Sequence, residues 1–266
     1  MLKRILIAIP LVALLAAVIY FGGILQSIAF TVVAIISVDE MARVFKKKGI
    51  KPFLLGVYLF AAGYYTTYIL FGTGYLMLLL AGCVVLTIAE RFFCANRPIE
   101  DLFYSLIIFI YPLLLYVILM YATQLQDASM SHTALFAAFA GPLMGDTLAY
   151  FIGTFWGKHK LCPGISPHKT IEGSFGGTLG GVIGGLLVFY MQRLWNGSIP
   201  MLPLLVMGFM CGILGQIGDL FASTIKRWAG IKDYGTIFPG HGGILDRLDS
   251  VLMCAPVIFA YFYVIG

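Results

Sequence analysis

Residues 102–122 read LFYSLIIFIYPLLLYVILMYA, a run of 21 residues without a charged side chain. A transmembrane α-helix needs about 20 consecutive apolar residues, so this run is long enough to cross a bilayer. Backbone polar groups in hydrocarbon must be satisfied within the segment, and an uninterrupted run of this length favours a helix over a barrel strand. The stretch therefore predicts an α-helical membrane protein.

Other apolar stretches lie on both sides of this one. The nine predicted helices cover residues 4–22, 24–44, 52–71, 74–90, 102–122, 132–156, 173–192, 200–227 and 247–265. Composition agrees, because 61% of the chain is hydrophobic and 11% is charged, against about 45–50% and about 25% in soluble domains. The predicted fold class is all-α, a polytopic integral membrane protein with about nine transmembrane helices. The first stretch follows two basic residues as in a signal peptide, but it has no A-x-A cleavage site and is predicted to be retained.

The distribution of Lys and Arg predicts the orientation. With a cytoplasmic N-terminus, 16 of the 17 basic residues fall on the inner side, and only Arg193 lies outside. The positive-inside rule predicts such sorting, and an odd number of helices then places the C-terminus outside. The net charge of +5 is explained by topology, so no nucleic-acid partner is expected. The predicted location is the cell (inner) membrane, with the active site facing the cytoplasm.

The two halves of the chain differ in chemistry. Residues 1–125 form an N-terminal transmembrane region in which polar residues are sparse. Residues 126–266 form the predicted catalytic region, with cytoplasmic loops 157–172 and 226–246. The polar cluster 38–51 is interpreted as a solvated helix end with a polybasic patch that attracts anionic lipid, or else as a specific site.

Glycine pairs recur every four residues along 173–185, GSFGGTLGGVIGG. Small residues at this spacing line one helix face and allow backbones to approach closely. The pattern predicts tight helix packing, within or between subunits; the alternative is a glycine face that lines a substrate cavity.

Two carboxylates fall inside predicted helices of the C-terminal half. Asp146 lies in GPLMGDTLAY, and Asp219 lies in GQIGDL. Ionisable residues within membranes are expensive, and they are functional candidates by default. The alternative for each is a hydrogen-bonded neutral acid between helices.

The segment 223–250, STIKRWAGIKDYGTIFPGHGGILDRLDS, is the richest in polar chemistry. If the last helix starts near Ile244, Asp246 and Asp249 lie three residues apart and share a face. With Asp219 they would form an all-carboxylate site, and oxygen ligands without Cys or paired His favour a hard cation such as Mg²⁺.

The same segment also carries groups that attract phosphate. Glycines free the backbone to approach a ligand, and the N–H groups at a helix start attract anions. The residues concerned are Gly240, Gly242, Gly243, Lys226, Arg227, Lys232 and Arg247. Carboxylates for a metal beside cations for phosphate are typical of phosphoryl or nucleotidyl transfer. Taken singly, the basic residues could reflect topology, and His241 could be an ordinary satisfied polar residue.

The earlier loop repeats the theme. Ser166 or Thr170 could cap the glycine-rich helix, and Glu172 suits its first turn. Lys169 is the better candidate for contact with a phosphate.

At these residues the chain resembles the phosphatidate cytidylyltransferase (CDP-diacylglycerol synthase) family. The residues that match its C-terminal pattern are Ser223, Lys226, Arg227, Lys232, Asp233, Pro239, His241, Gly242, Gly243, Asp246, Arg247 and Asp249. Segments 145–150 and 166–173 extend the resemblance, which covers roughly residues 140–250. The chain departs from the family pattern at Ala222, where an acidic residue is expected, and at His168 and Ile171.

The resemblance implies a Mg²⁺-dependent transfer of CMP from CTP to phosphatidic acid, with release of pyrophosphate. It implies a membrane enzyme that is a homodimer, with the glycine face as a plausible contact. The catalytic candidates are Asp219, Asp246, Lys226 and Arg227. The substrate-binding candidates are Lys169, Ser223, Lys232, His241, Gly242, Gly243, Arg247 and Asp146. The metal candidates are Asp219, Asp246 and Asp249.

Other function classes make different demands on the sequence. A transporter that binds a cation at Asp146 and Asp219 has no evident need for the 223–250 pattern, and no convincing internal repeat is visible. A CDP-alcohol phosphotransferase would be expected to show a D-G-x-x-A-R start, which is absent. A lipid kinase and a non-catalytic membrane scaffold are the remaining alternatives.

Overall fold

A computed structural model describes residues 13–94, 96–238 and 242–265, apart from the side chains of the last two residues. Residues 13–21 are helical and form the described part of helix α1. The helices that follow are α2 Gly23–Lys47, α3 Leu55–Phe71, α4 Thr73–Phe93, α5 Glu100–Ile108, α6 Leu115–Thr123, α7 Ala128–Phe155, α8 Ile171–Met191, α9 Met201–Trp228 and α10 Leu245–Ile265. Strands β1 Lys160–Cys162 and β2 Ser166–Thr170 form a hairpin between α7 and α8.

The described helices confirm the all-α membrane class. Among the described residues, five helical stretches are long and apolar enough to cross a membrane. They are Thr73–Phe93 (α4), Glu100–Thr123 (α5 to α6), Ala128–Phe155 (α7), Ile171–Trp195 (α8 and the short turn after it) and Met201–Trp228 (α9). Leu55–Phe71 is also apolar but shorter. The count of nine membrane helices and the orientation of the termini stay predictions. The beginning of the first predicted helix, residues 4–12, lies outside the described residues.

The helix over 100–123 is interrupted in its middle. Residues Phe109–Leu114 form a π-helical segment in which Tyr111 has extended dihedral angles, φ −135° and ψ 113°. The following residue is Pro112, whose ring disfavours the helical conformation for the residue before it and which has no N–H to donate. The proline therefore accounts for the break in an otherwise continuous apolar run.

Contacts divide the chain into two compact units. The first comprises the chain up to Val117 together with Ala229–Asp246, and the second comprises Ile118–Trp228 and the chain from Arg247 onwards. The functional division predicted at residue 125 is a separate hypothesis and stays a prediction.

The core of the first unit is aromatic. Tyr64 and Tyr65 are fully buried in α3, and Tyr65 packs against Phe30 of α2, with ring centroids 5.8 Å apart. The hydroxyls of Ser37 and Tyr116 are 2.8 Å apart and hydrogen-bonded. These contacts fix the position of α2. This helix carries Glu40, for which no individual role was predicted from the sequence.

In the second unit the glycine face of α8 packs between α7 and α9. A Cβ at Gly180 would overlap the carbonyl oxygen of Met144 in α7, and one at Gly181 would overlap the carbonyl oxygen of Gly208 in α9. The prediction of tight helix packing is confirmed, and the packing lies within one chain. Because α7 and α9 cover this face, it is not open as a dimer contact, and a homodimer would need another surface.

The start of α8 agrees with one of the two predicted caps. The Thr170 hydroxyl accepts a hydrogen bond from Gly173 N at 3.1 Å, which satisfies one of the free N–H groups of the first turn. Ser166, the alternative, lies in β2. Glu172 lies in the first turn of α8, as predicted. Its carboxylate also accepts the backbone N–H groups of Lys158 and His159, at 3.0 and 3.2 Å, and so fixes the turn that precedes the hairpin.

Candidate active site

Three carboxylates from three helices gather in the second unit. Asp146 lies on α7, Asp219 on α9 and Asp249 on α10, and they are close enough for their charges to interact. Ser250 connects two of them, because its backbone N–H donates to Asp249 Oδ1 at 2.7 Å and its hydroxyl donates to Asp146 Oδ2 at 3.3 Å. Since Asp249 is only 5% exposed, this concentration of negative charge requires compensation.

The first compensating cation comes from the hairpin. Lys169 Nζ, at the end of β2, lies 2.6 Å from Asp219 Oδ2. The other oxygen of this carboxylate accepts a hydrogen bond from the Ser223 hydroxyl, 3.3 Å away and one turn later on α9. Three residues that were predicted separately as metal ligand, phosphate contact and substrate contact therefore meet at one carboxylate.

Two further cations compensate the other acids. Lys226, in the last turn of α9, is only 8% exposed, and its charge interacts with that of Asp249. The charge of Arg247, an exposed residue of α10, interacts with that of Asp146. Lysine and arginine near the C-terminal end of a helix such as α9 are also favoured by the helix dipole.

The β-hairpin explains how a loop lysine reaches a helix carboxylate. Lys160 pairs with Thr170, and Cys162 pairs with Ser166, in an antiparallel arrangement. Arg227 Nε donates to the carbonyl oxygen of Ile165 at 3.1 Å, so α9 holds the turn of the hairpin. This contact gives Arg227 a positioning role beside the phosphate role predicted for it. The hairpin was not predicted, since loop 157–172 shows no run of alternating apolar residues.

The carboxylate cluster does not form a closed metal cage. Within residues 13–94, 96–238 and 242–265, no group of three or more His, Cys, Asp or Glu side chains is arranged to hold a metal ion. Mg²⁺ usually keeps several waters and is bound by one or two carboxylates plus substrate phosphates. Asp219 and Asp249 match that pattern in chemistry, because they supply hard oxygen ligands.

Asp246 has a different environment in the first unit. Its Oδ2 accepts the backbone N–H groups of Tyr234 at 2.7 Å and Gly243 at 2.9 Å. As predicted, α10 begins near Ile244 and carries Asp246 in its first turn, three residues before Asp249. The carboxylate thereby fixes the conformation of the preceding loop, and its role as a metal ligand stays a prediction.

The start of α10 is occupied by a carboxylate from the N-terminal half. Glu40 of α2 accepts the backbone N–H of Ile244 through Oε1 at 3.0 Å and that of Leu245 through Oε2 at 2.8 Å. Glu40 is fully buried, so its interpretation as part of a solvated helix end was wrong. The prediction that N–H groups at this helix start attract phosphate also needs correction, because Glu40 and Asp246 already use those of Gly243, Ile244 and Leu245.

The structure therefore sorts the predicted site residues into two groups. Those that gather in the second unit are Asp146, Lys169, Asp219, Ser223, Lys226, Arg227, Arg247 and Asp249. Those that belong to the first unit are Lys232, Gly242, Gly243 and Asp246. Lys232 is exposed, and Gly242 has a positive φ of 81°, a backbone conformation that glycine adopts without steric cost. His241 lies outside the described residues, as do Pro239 and Gly240.

Two residues with clear contacts escaped the sequence analysis. Ser250 is the last residue of the 223–250 segment, and no role was predicted for it. Its position directly after an intramembrane acid, Asp249, could have indicated a hydrogen-bond partner. Glu40 is adjacent to Asp39 and precedes a basic run, so the pattern indicated a solvated helix end.

Fold and site together define an α-helical membrane protein in which three clustered carboxylates, of which Asp249 is buried, are balanced by lysine and arginine, an arrangement suited to phosphate chemistry. A sequence model described as "Cytidylyltransferase family" matches residues 2–265. The chain belongs to the cytidylyltransferase family.

Individual relatives agree with this family. The chain is 46% identical over 113 residues to a phosphatidate cytidylyltransferase of Staphylococcus epidermidis, a match that covers 42% of each chain. It is 44% identical over 114 residues to that of Bacillus subtilis, which covers 43% of this chain and 41% of the relative. The matched region spans less than half the length of these relatives.

Proposed function

We propose that this protein is a phosphatidate cytidylyltransferase that transfers CMP from CTP to phosphatidic acid. The observation that carries the proposal is the ion pair of Lys169 with Asp219, at 2.6 Å, within a cluster of three acids and several cations. A phosphate oxygen of phosphatidic acid forms a bond to the α-phosphorus of CTP, and the bond from that phosphorus to the bridging oxygen of the β-phosphate breaks. The products are CDP-diacylglycerol and pyrophosphate.

The lysines meet the main electrostatic demand of this reaction. Both substrates are anions, so their approach is unfavourable unless positive charge lies between them. Lys169 and Lys226 already compensate Asp219 and Asp249, and an incoming phosphate would compete for the same cations. The attacking lipid phosphate is already ionised at neutral pH, so the reaction needs no strong general base.

The carboxylates suit a divalent cation. We infer that Asp219 and Asp249 would hold Mg²⁺, with the remaining positions left to phosphate oxygens and water. The fit rests on the donor chemistry and on the interacting negative charges of Asp146, Asp219 and Asp249, whose repulsion a bound cation would offset. When bound, Mg²⁺ would neutralise the charge that develops on the phosphate groups of CTP during transfer of CMP.

The lipid substrate would arrive through the bilayer, and CTP would arrive from the cytoplasmic side. This assignment of sides follows from the sorting of Lys and Arg. We propose that the enzyme lies in the cell (inner) membrane with its site facing the cytoplasm.

The activity is tested with labelled nucleotide. Purified protein in detergent, given radiolabelled CTP, phosphatidic acid and Mg²⁺, is expected to form labelled CDP-diacylglycerol and an equal amount of pyrophosphate. Removing Mg²⁺ with a chelator should abolish the labelling. If γ-labelled ATP marks the lipid while CTP does not, the lipid-kinase alternative is the better account.

The orientation is tested by labelling single cysteines. In a variant that lacks the five native cysteines, Lys47→Cys and Ser198→Cys each place one thiol at an exposed position. In right-side-out vesicles, a membrane-impermeant maleimide is expected to label position 198 at least ten times faster than position 47. The reverse preference would contradict the proposed orientation.

A further inference from the structure

Two adjacent carboxylates at the end of α2 have opposite environments. Asp39 is about half exposed and forms an ion pair with Arg43 at 3.0 Å. Glu40 is fully buried, and each of its carboxylate oxygens accepts one backbone N–H group at the start of α10. Hydrogen bonds to an ionised acceptor are about twice as strong as neutral ones, and the helix dipole favours a negative charge at this position.

The loop before α10 is shaped to receive Glu40. A Cβ at Gly235 or at Gly243 would overlap the Glu40 carboxylate. Neither glycine has a positive φ, so backbone conformation does not require glycine at either position. The absent side chains leave the space that the carboxylate fills.

The loop is therefore held by carboxylates from two directions. Asp246 accepts the N–H groups of Tyr234 and Gly243, and Glu40 accepts those of the next two residues, Ile244 and Leu245. We propose that Glu40 is a positioning residue that, together with Asp246, holds residues 234–238 and 242–245 in the conformation that CTP turnover requires. The inference rests on the proposed function, and it assigns a role to the N-terminal half that the sequence pattern left without one.

The test compares Glu40→Gln with Asp39→Asn. The amide keeps the shape of the side chain, but it removes the charge and turns an NH₂ group towards one of two N–H donors. We expect amide hydrogen exchange at Ile244 and Leu245 to be at least tenfold faster, and kcat/KM for CTP per folded molecule to fall at least tenfold. Asp39→Asn, the same chemical change one residue away, should alter both by less than twofold.

A double-mutant cycle separates positioning from general stability. Gly235→Ala is expected to reduce kcat/KM in the wild-type background because its Cβ meets Glu40. In the Glu40→Ala background the two closest contacts are gone and only the Cα atom of Gly243, 3.2 Å away, remains, so the same substitution should have a clearly smaller effect. Additive effects would contradict the proposal.

Three other outcomes would overturn the proposal. Glu40→Gln would act only through stability if it lowered the melting midpoint while exchange at the two amides and activity per folded molecule were unchanged. Glu40 would instead be an anion that substrate displaces if Glu40→Gln lowered KM for CTP. Unchanged amide exchange at Ile244 and Leu245 in Glu40→Gln would exclude the positioning role of Glu40, even if the wild-type protein formed no CDP-diacylglycerol. This inference can therefore fail independently of the proposed function.

Discussion

Asp219→Asn is expected to lower turnover about a thousandfold, which corresponds to roughly 4 kcal/mol of lost transition-state stabilisation. The substitution keeps the shape of the side chain but removes an anionic ligand from the proposed Mg²⁺ site. It also leaves Lys169, now 2.6 Å from the carboxylate, without its counter-ion. The measurement is the initial rate of CDP-diacylglycerol formation at saturating CTP, phosphatidic acid and Mg²⁺.

Two companion variants make the result specific. Asp127→Asn is the matched control, because Asp127 caps α7 by accepting Ser129 N at 2.8 Å and asparagine is about as good an N-cap. It should retain nearly full activity. In the double variant Asp219→Asn with Lys169→Met, both charges of the pair are removed. Recovery of activity in this variant would show that Asp219 serves only as the counter-ion of Lys169.

The size of the loss also decides the role. If Asp219→Asn kept more than about a tenth of the wild-type turnover, the lost stabilisation would be less than about 1.4 kcal/mol. A loss that small is inconsistent with a metal ligand, and a packing role for the acid on α9 would explain it better.

The membrane class was predictable because hydrocarbon imposes a simple requirement. A chain such as 102–122 must satisfy its own backbone hydrogen bonds, so apolar length alone predicts a helix. The cap at Thr170 was predictable for a similar local reason, since a threonine three residues before a free N–H supplies its acceptor. The glycine face of α8 was predictable because the glycine pairs recur every four residues.

The parts that escaped prediction depend on contacts between distant segments. Glu40 and Leu245 are separated by 205 positions, and no local pattern shows that one caps the helix begun by the other. The same limit applies to phosphate binding at the start of α10. The glycines and the helix start were recognised, but the two carboxylates that occupy those N–H groups were not.

The residue types of the site were easier to predict from the sequence than the contacts between them. Asp219 was identified because an acid in an apolar run is costly, and Lys169 was identified as the better candidate for phosphate contact in the loop before the glycine-rich helix. Their contact depends on the β-hairpin, which brings Lys169 onto α9 and which the loop sequence did not predict. Residue types therefore indicated phosphate chemistry, whereas the pairing of individual acids and cations required the structure.

Gly181→Ala is expected to lower the melting midpoint of the detergent-solubilised protein by about 5–10 °C. The three atoms nearest to the new Cβ would all be backbone atoms of α9, namely the carbonyl oxygen of Gly208 and the N and Cα atoms of Gly212. Backbone of a packed helix cannot rotate away as a side chain can, so α8 and α9 must separate. Overpacking of this kind costs about 1–3 kcal/mol or more, and each kcal/mol corresponds to about 2–4 °C in a protein of about this size.

Gly82→Ala provides the matched control for this prediction. Gly82 lies within α4, and a Cβ there has no neighbouring atom within 4 Å. Since alanine is favoured over glycine in a helix by about 1 kcal/mol, this variant should melt at the wild-type temperature or slightly above. Midpoints are measured by following the monodisperse fraction after heating. If Gly181→Ala and Gly82→Ala melted together, the glycine face of α8 would not be the close-packed contact with α9 on which the position of Asp219 depends.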